Sequence, residues 1–174
     1  MRRLLVVALA LLLALAACGR EPEAPVNAED VMFVQMMVQH HRQGIELAAL
    51  GASRAASPEL RTLTAAVQAT QQDEVEMMLR WLHAWGQPLT APSGAHDHHG
   101  GMPETDATEI RALKRSRSFD RDLATLLISH QGDAVRMAGT ELSGGANPEV
   151  KAWAERVRTS RDAQIEQLRG LLAR

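Results

Sequence analysis

The chain aligns with itself, without gaps, at an offset of 90 residues. Asp30 pairs with Asp120, His40 with His130, Ala48 with Ala138, Pro58-Glu59 with Pro148-Glu149, Val67 with Val157, Glu76 with Glu166 and Leu82 with Leu172. Between those identities apolar positions also correspond, as in Met36-Met37-Val38 against Leu126-Leu127-Ile128 and Val75 against Ile165. Self-similarity at a fixed period means copies of one supersecondary unit that bury their apolar faces together. Each copy carries a histidine inside its apolar stripe.

Local signals name the unit. Asn27 can cap a first helix running to about Ala52, with Asp30 in its first turn complementing the helix dipole. The broad apolar face of that helix holds Phe33, Met36, Met37, His40, Gly44, Ile45, Leu47 and Ala48. Ser57-Pro58-Glu59 supplies an N-cap, a proline at the first helical position and an early carboxylate for a second helix reaching about Trp85. Asp106-Ala107-Thr108-Glu109 has the form of a capping box and opens a short helix to about Arg115. A third long helix spans about Phe119 to Leu142 and ends at Gly144-Gly145. Asn147-Pro148-Glu149 repeats the cap, proline and acid, and a fourth helix runs to about Leu172. Two helical hairpins on a long connection predict an all-α four-helix bundle, because each amphipathic pair needs the other to bury its stripe. The expected division is a leader over 1–17, a tether over 18–27 and a bundle domain over 28–174. Within the bundle the first repeat covers 28–85, the linker 86–105 and the second repeat 106–174.

The leader has its own pattern. Arg2-Arg3 precede an apolar run, Leu4 to Ala16, that is too short to span a membrane as a stable helix and fits a signal peptide. Leu15-Ala16-Ala17-Cys18 resembles the lipobox of bacterial lipoproteins, which implies cleavage before Cys18 and acylation there. More than one acyl chain anchors a protein stably. An ordinary secretory signal with a chance cysteine is the alternative; both put the mature chain outside the cytoplasm. Cys18 is the single cysteine, so no intrachain disulfide forms and no further thiolate is available to a metal. Losing Arg2 and Arg3 takes the formal charge from −2 to −4, which leaves no basic footprint for nucleic acid.

Met32, Met36 and His40 are spaced by four, as are Met37 and His41, so they form two neighbouring ridges on one helix. Thioether with imidazole is a soft ligand set that suits Cu(I), and it survives in compartments where a free thiol would be oxidised. The candidate ligands are His40, His41, Met36, Met37 and His130, with Met78 and Met137 behind them. The competing reading is structural: methionines at helical spacing commonly fill core gaps, and a single buried histidine is commonly a satisfied core residue. The adjacent pair His40-His41, about 100° apart on the helix, argues for more than filler. Gln71 and Glu74 interrupt an apolar face and could fix imidazole tautomers, or could form a solvated edge. His96, His98, His99 and Met102 lie in the glycine-rich linker, where a histidine-dense tract can capture metal or serve only as a polar tether. No Glu-x-x-His, His-Glu-x-x-His or glycine-rich phosphate loop occurs, and no nucleophile stands beside a base, so an enzyme is not expected.

The string Asp30-x-x-Phe33-x-x-x-Met37-x-x-His40-His41-x-x-Gly44-Ile45-x-Leu47-Ala48, continued by Pro58-Glu59-Leu60 and Gln71-x-x-Glu74-Val75-x-x-Met78-x-x-Trp81, resembles bacterial domain-of-unknown-function family 305, which includes CopM-like copper-binding proteins. The similarity covers roughly residues 28–172. It implies a ferritin-like helical bundle that is secreted or membrane-anchored and, for some members, copper binding and tolerance through His and Met. This chain departs from the pattern where Gln131 stands opposite His41 and where Gly44 replaces a usual alanine. Gln71, Glu74, Met78 and Trp81 have Arg161, Gln164, Leu168 and Leu171 as counterparts. A site carried mainly by the first hairpin, with His130 in support, is therefore expected. Copper buffering or delivery is the leading expectation, with a metal ion, the membrane and a delivery protein or second copy as partners. A metal-independent interaction module of the cell envelope is the alternative, and a redox enzyme using a bound metal is a weaker third.

Overall fold

The computed structural model describes residues 24–90, 105 and 107–174. The leader, Cys18 and the linker residues His96, His98, His99 and Met102 lie outside the described residues. Five helices follow in order: α1 (Ala28–Arg54), α2 (Pro58–Ala84), α3 (Ala107–Arg115), α4 (Phe119–Gly144) and α5 (Pro148–Leu172). The all-α bundle of two hairpins with a short extra helix is the expected fold. No strand occurs among the described residues, and none of their helices is long and apolar enough to cross a membrane.

The capping chemistry explains where the helices begin. Asn27 and Asp30 form a reciprocal capping box on α1. Ser57 and Asn147 accept from the first amides of α2 and α5, each with proline at the next position. Helix α4 runs to Gly144, two residues beyond the expected end. Its C-cap Gly145 has an ordinary negative φ of −65°. Glycine is needed there for space, since a Cβ would collide with the Glu141 carboxyl.

The repeat has a structural meaning that its identities alone do not disclose. Asp30 Oδ1 accepts from Ala146 N at 3.0 Å and Asn147 N at 2.9 Å. Asp120, its mate at the 90-residue offset, accepts from Ala56 N at 3.0 Å and Ser57 N at 2.7 Å. Each repeat's aspartate thus pins the start of the other repeat's second helix. Reciprocity of this kind makes the bundle pseudo-two-fold, with the close pairing of α1 and α4 at its centre.

Apolar burial falls into two clusters. One gathers Phe33, Met36, Met37, Met78, Leu82, Met137 and Trp153, and the other Leu47, Leu60, Leu113, Leu123, Leu127 and Leu168. The early part of α1 therefore shares a cluster with the late parts of α2 and α4, so both run antiparallel to α1. Helix α2 therefore ends, and α4 begins, at opposite ends of the bundle. Pro88 O accepts from Gln35 Nε2 at one end, at 2.7 Å, and Lys114 Nζ reaches Glu46 at 2.9 Å nearer the other. Between the two clusters lies a layer of polar side chains, and the candidate site is in that layer.

Candidate metal centre

All four long helices contribute to the layer: His40, His41 and Gly44 from α1, Gln71 and Glu74 from α2, His130 and Gln131 from α4, and Arg161 and Gln164 from α5. Their positions follow from sequence. Each polar residue falls on the inward stripe of its helix, midway between the apolar blocks. His40, His41, Gln71, His130, Gln131 and Arg161 are buried, whereas Glu74 keeps 16% of its side chain exposed.

The matched histidines meet each other. The His40 and His130 rings stack with centroids 3.8 Å apart and planes 11° from parallel. His40 Nε2 lies 3.1 Å from the His130 carbonyl. A carbonyl only accepts, so Nε2 carries the proton and Nδ1 keeps the lone pair. His130 Nδ1 lies 3.3 Å from Thr105 Oγ1. His41 Nε2 lies 2.8 Å from Glu74 Oε2, and donation to that carboxylate leaves its Nδ1 as the lone-pair nitrogen. Three nitrogens, His40 Nδ1, His41 Nδ1 and His130 Nε2, are buried without a hydrogen-bond partner. Both amide atoms of Gln71 are in the same condition. Gln71 and His130 Nε2 crowd the Cα of Gly44, into the space that a methyl group would fill.

Electrostatics keep the imidazoles neutral. Burial, then the neighbouring His130 and His41, hold His40 well below the ordinary imidazole range. His130 is lowered to about 3, again by burial first and then by His41 and Arg161. Burial also lowers His41, against the opposing pull of Glu74. For Glu74, burial favours the neutral acid, but the His41 hydrogen bond and the Arg161 charge outweigh it and keep the carboxyl ionised. Neutral imidazole is the form that binds metal.

Residues 30–172 match the family described as Domain of unknown function (DUF305). The chain belongs to the DUF305 family. Similar solved structures include a DUF305 fragment from Deinococcus radiodurans, 30% identical, with a TM-score of 0.75 over 86% of this chain and 98% of that one. A DUF305 protein from Streptomyces coelicolor is 25% identical, with a TM-score of 0.78 over 83% and 92%. CopM in its Cu(II)-bound form is 27% identical, with a TM-score of 0.71 over 83% and 95%. CopM structures with Cu(I) and with Ag are similar at 26% identity. No curated protein sequence matches the chain.

Within this DUF305 bundle the sequence-derived candidates are distributed unevenly. His40, His41, His130, Gln71 and Glu74 come together in the polar layer. Met36, Met37, Met78 and Met137 are buried in the adjoining apolar cluster, where Met32 and Met77 join them. Trp153 belongs to that cluster and packs 6.1 Å from the His41 ring, so the two groups adjoin. His83 is exposed at the end of α2. Among the described residues no three His, Cys, Asp or Glu side chains are grouped as ligands to one ion. Arg161 is the site residue that sequence reasoning missed. The signal was present: a charged residue between Val157 and Ile165 on a buried stripe, facing Gln71 in the self-alignment.

Proposed function

We propose that this DUF305 protein binds copper, preferentially Cu(I), outside the cytoplasm and buffers or delivers it without catalysing a reaction. One observation carries the reading: all six methionines of the described residues share one cluster, and that cluster adjoins buried neutral histidines. Thioether and imidazole donors without a grouped carboxylate set suit a soft monovalent ion. One relative, CopM, solved with Cu(I), Cu(II) and Ag bound, gives the reading independent support. The proposed ligands are drawn from His40, His41, His130, Met36, Met37, Met78 and Met137, with Gln71 and Glu74 orienting imidazoles. The leader supports secretion, as does the assignment of the Streptomyces coelicolor relative to the secreted proteins; acylation at Cys18 would hold the protein at a membrane surface.

Anaerobic titration of Cu(I) against a chromophoric chelator tests this. Met36→Leu/Met37→Leu/Met78→Leu nearly conserves core volume, and it should bind at least about tenfold more weakly than the parent. His40→Ala/His41→Ala should do the same. If both variants hold Cu(I) as tightly as the parent, the core ligand set is wrong. The Arg161–Glu74 pair favours one rival, a metal-independent envelope module, because it balances the charge of the layer from within. That rival requires a melting midpoint indifferent to copper, whereas a ligand of the native state raises the midpoint by mass action.

A further inference from the structure

Arg161 is the one lysine or arginine buried among the described residues, with no measurable exposure. Its Nη2 bonds Glu74 Oε2, the same oxygen that His41 Nε2 reaches. Nη2 also lies 3.4 Å from His41 Nε2. Both nitrogens are donors, so this is two donors crowding one acceptor. Nη1 reaches Ser160 Oγ at 3.2 Å, and Nε has no partner. Among the described residues Glu74 is thus the only carboxylate that Arg161 pairs with. In the other hairpin the matched position holds a neutral amide, Gln71.

We propose that Arg161 sets the copper affinity of the polar layer, by competing with the metal for the Glu74 carboxylate beside His41. The inference rests on the copper reading above. With Arg161 in place the layer holds one positive and one negative group, and a bound Cu(I) adds a second cation to one anion. Two unit charges within one buried layer, at an effective dielectric of about 20, repel enough to weaken binding about tenfold to a hundredfold. The resident guanidinium occupies the role of counter-ion that an incoming metal must take over. A layer built this way releases its cargo readily, as delivery requires.

The test uses the full chain. Arg161→Gln installs the residue that the first hairpin carries at the matched position. It should tighten Cu(I) binding by about tenfold to a hundredfold in the chelator competition. Arg161→Lys keeps the charge and should stay near the parent. Glu74→Gln/Arg161→Gln should lose the gain, because no anion is left to exploit. A second readout needs no variant. The Arg161 Nε–H proton of the parent should be protected from exchange in nitrogen-resolved NMR and should lose protection as Cu(I), which is diamagnetic, is added anaerobically. A folded Arg161→Gln variant with parental affinity, or an Arg161 proton still protected at saturating Cu(I), overturns the proposal. Copper binding by the parent together with either of those results leaves the functional reading standing. A parent that binds no copper overturns the functional reading and, with it, the Arg161 inference that rests on it.

Discussion

His41 and Glu74 in the first hairpin, and Gln131 and Gln164 in the second, occupy matched positions and make matched contacts. The first pair is joined at 2.8 Å, His41 Nε2 to Glu74 Oε2, and the second at 2.6 Å, Gln131 Nε2 to Gln164 Oε1. The scaffold therefore needs a polar bridge across each hairpin, but it does not need charge. An amide pair fills the second bridge. In the first, an imidazole–carboxylate pair leaves a lone-pair nitrogen buried and draws a guanidinium across from the other hairpin. The scaffold requirement is shared, and the chemistry belongs to the first half.

The largest difference expected between the two bridges is in stability. Glu74→Gln removes the counter-charge of a fully buried guanidinium, and breaking one side of such a pair costs about 3–5 kcal/mol. Gln164→Leu breaks only a neutral hydrogen bond, leaving Gln131 short of a partner at a cost of about 1–2 kcal/mol. Urea unfolding of both variants reads the contrast directly. Equal losses would mean that Arg161 finds compensation elsewhere and that the bridges are equivalent.

A second comparison sets the histidine layer against the corner where α4 meets the start of α1. Glu141 is buried there, and burial followed by the Asp30 carboxylate raises it to about 8. The two regions answer pH in opposite directions. His130, lowered to about 3 from an ordinary 6.5, binds fewer protons folded than unfolded in that interval. Its contribution to stability is complete above about pH 6.5 and is lost as the pH falls towards 3. Glu141 binds more protons folded than unfolded between 4.5 and about 8. Its contribution is complete below 4.5 and is lost as the pH rises through about 8. Melting temperature should accordingly fall on both sides. His130→Asn should flatten the acid limb and Glu141→Gln the alkaline limb, each by a few degrees, as ~1 kcal/mol implies for a chain of this size. An alkaline limb unchanged by Glu141→Gln would place that titration elsewhere.

Much of this fold was legible because its signals are local. Asn27, Ser57-Pro58 and Asn147-Pro148 announce helix starts through capping chemistry that needs no tertiary context. The apolar stripe with period 3.6 gave the inward faces, and the 90-residue offset gave the hairpin pairing. His40, His41 and His130 could be chosen as site candidates from the same stripe. What could not be read is what depends on two distant segments meeting. The shared identity of Asp30 and Asp120 marks a constraint, but only the bundle shows each one bonded to the loop before the other repeat's second helix. Arg161 looked like a departure from a ligand pattern, and its ion pair with Glu74 required knowing that α2 and α5 face each other across the layer. Glu141 reads as an ordinary surface acid of a helix end until Asp30 and Gly145 close over it.

The smallest difference between the halves is a single methyl group, and it is the most direct test of how closely the first half is fitted. Gly44 and Ala134 are matched positions, both buried at the layer. A Cβ on Gly44 would meet the Gln71 side-chain oxygen and, at 2.6 Å, His130 Nε2. Gly44→Ala gains about 1 kcal/mol of helix propensity and incurs overpacking of about 1–3 kcal/mol. The amide end of Gln71 is flexible and can turn aside, but the stacked His130 ring must shift as well, so a net loss of about 1 kcal/mol is expected. Ala134→Gly has no compensating term: it loses about 1 kcal/mol of propensity and about 1 kcal/mol for the buried methyl. Stability of the two variants should therefore differ although the change is formally the same, one carbon added or removed. The His130 ring should also report it. Its NMR signals should move in Gly44→Ala, where the new methyl presses on Nε2, and a Gly44→Ala variant that is stabilised by the full propensity gain with His130 unmoved would mean that Gln71 and His130 are not held against α1 at all.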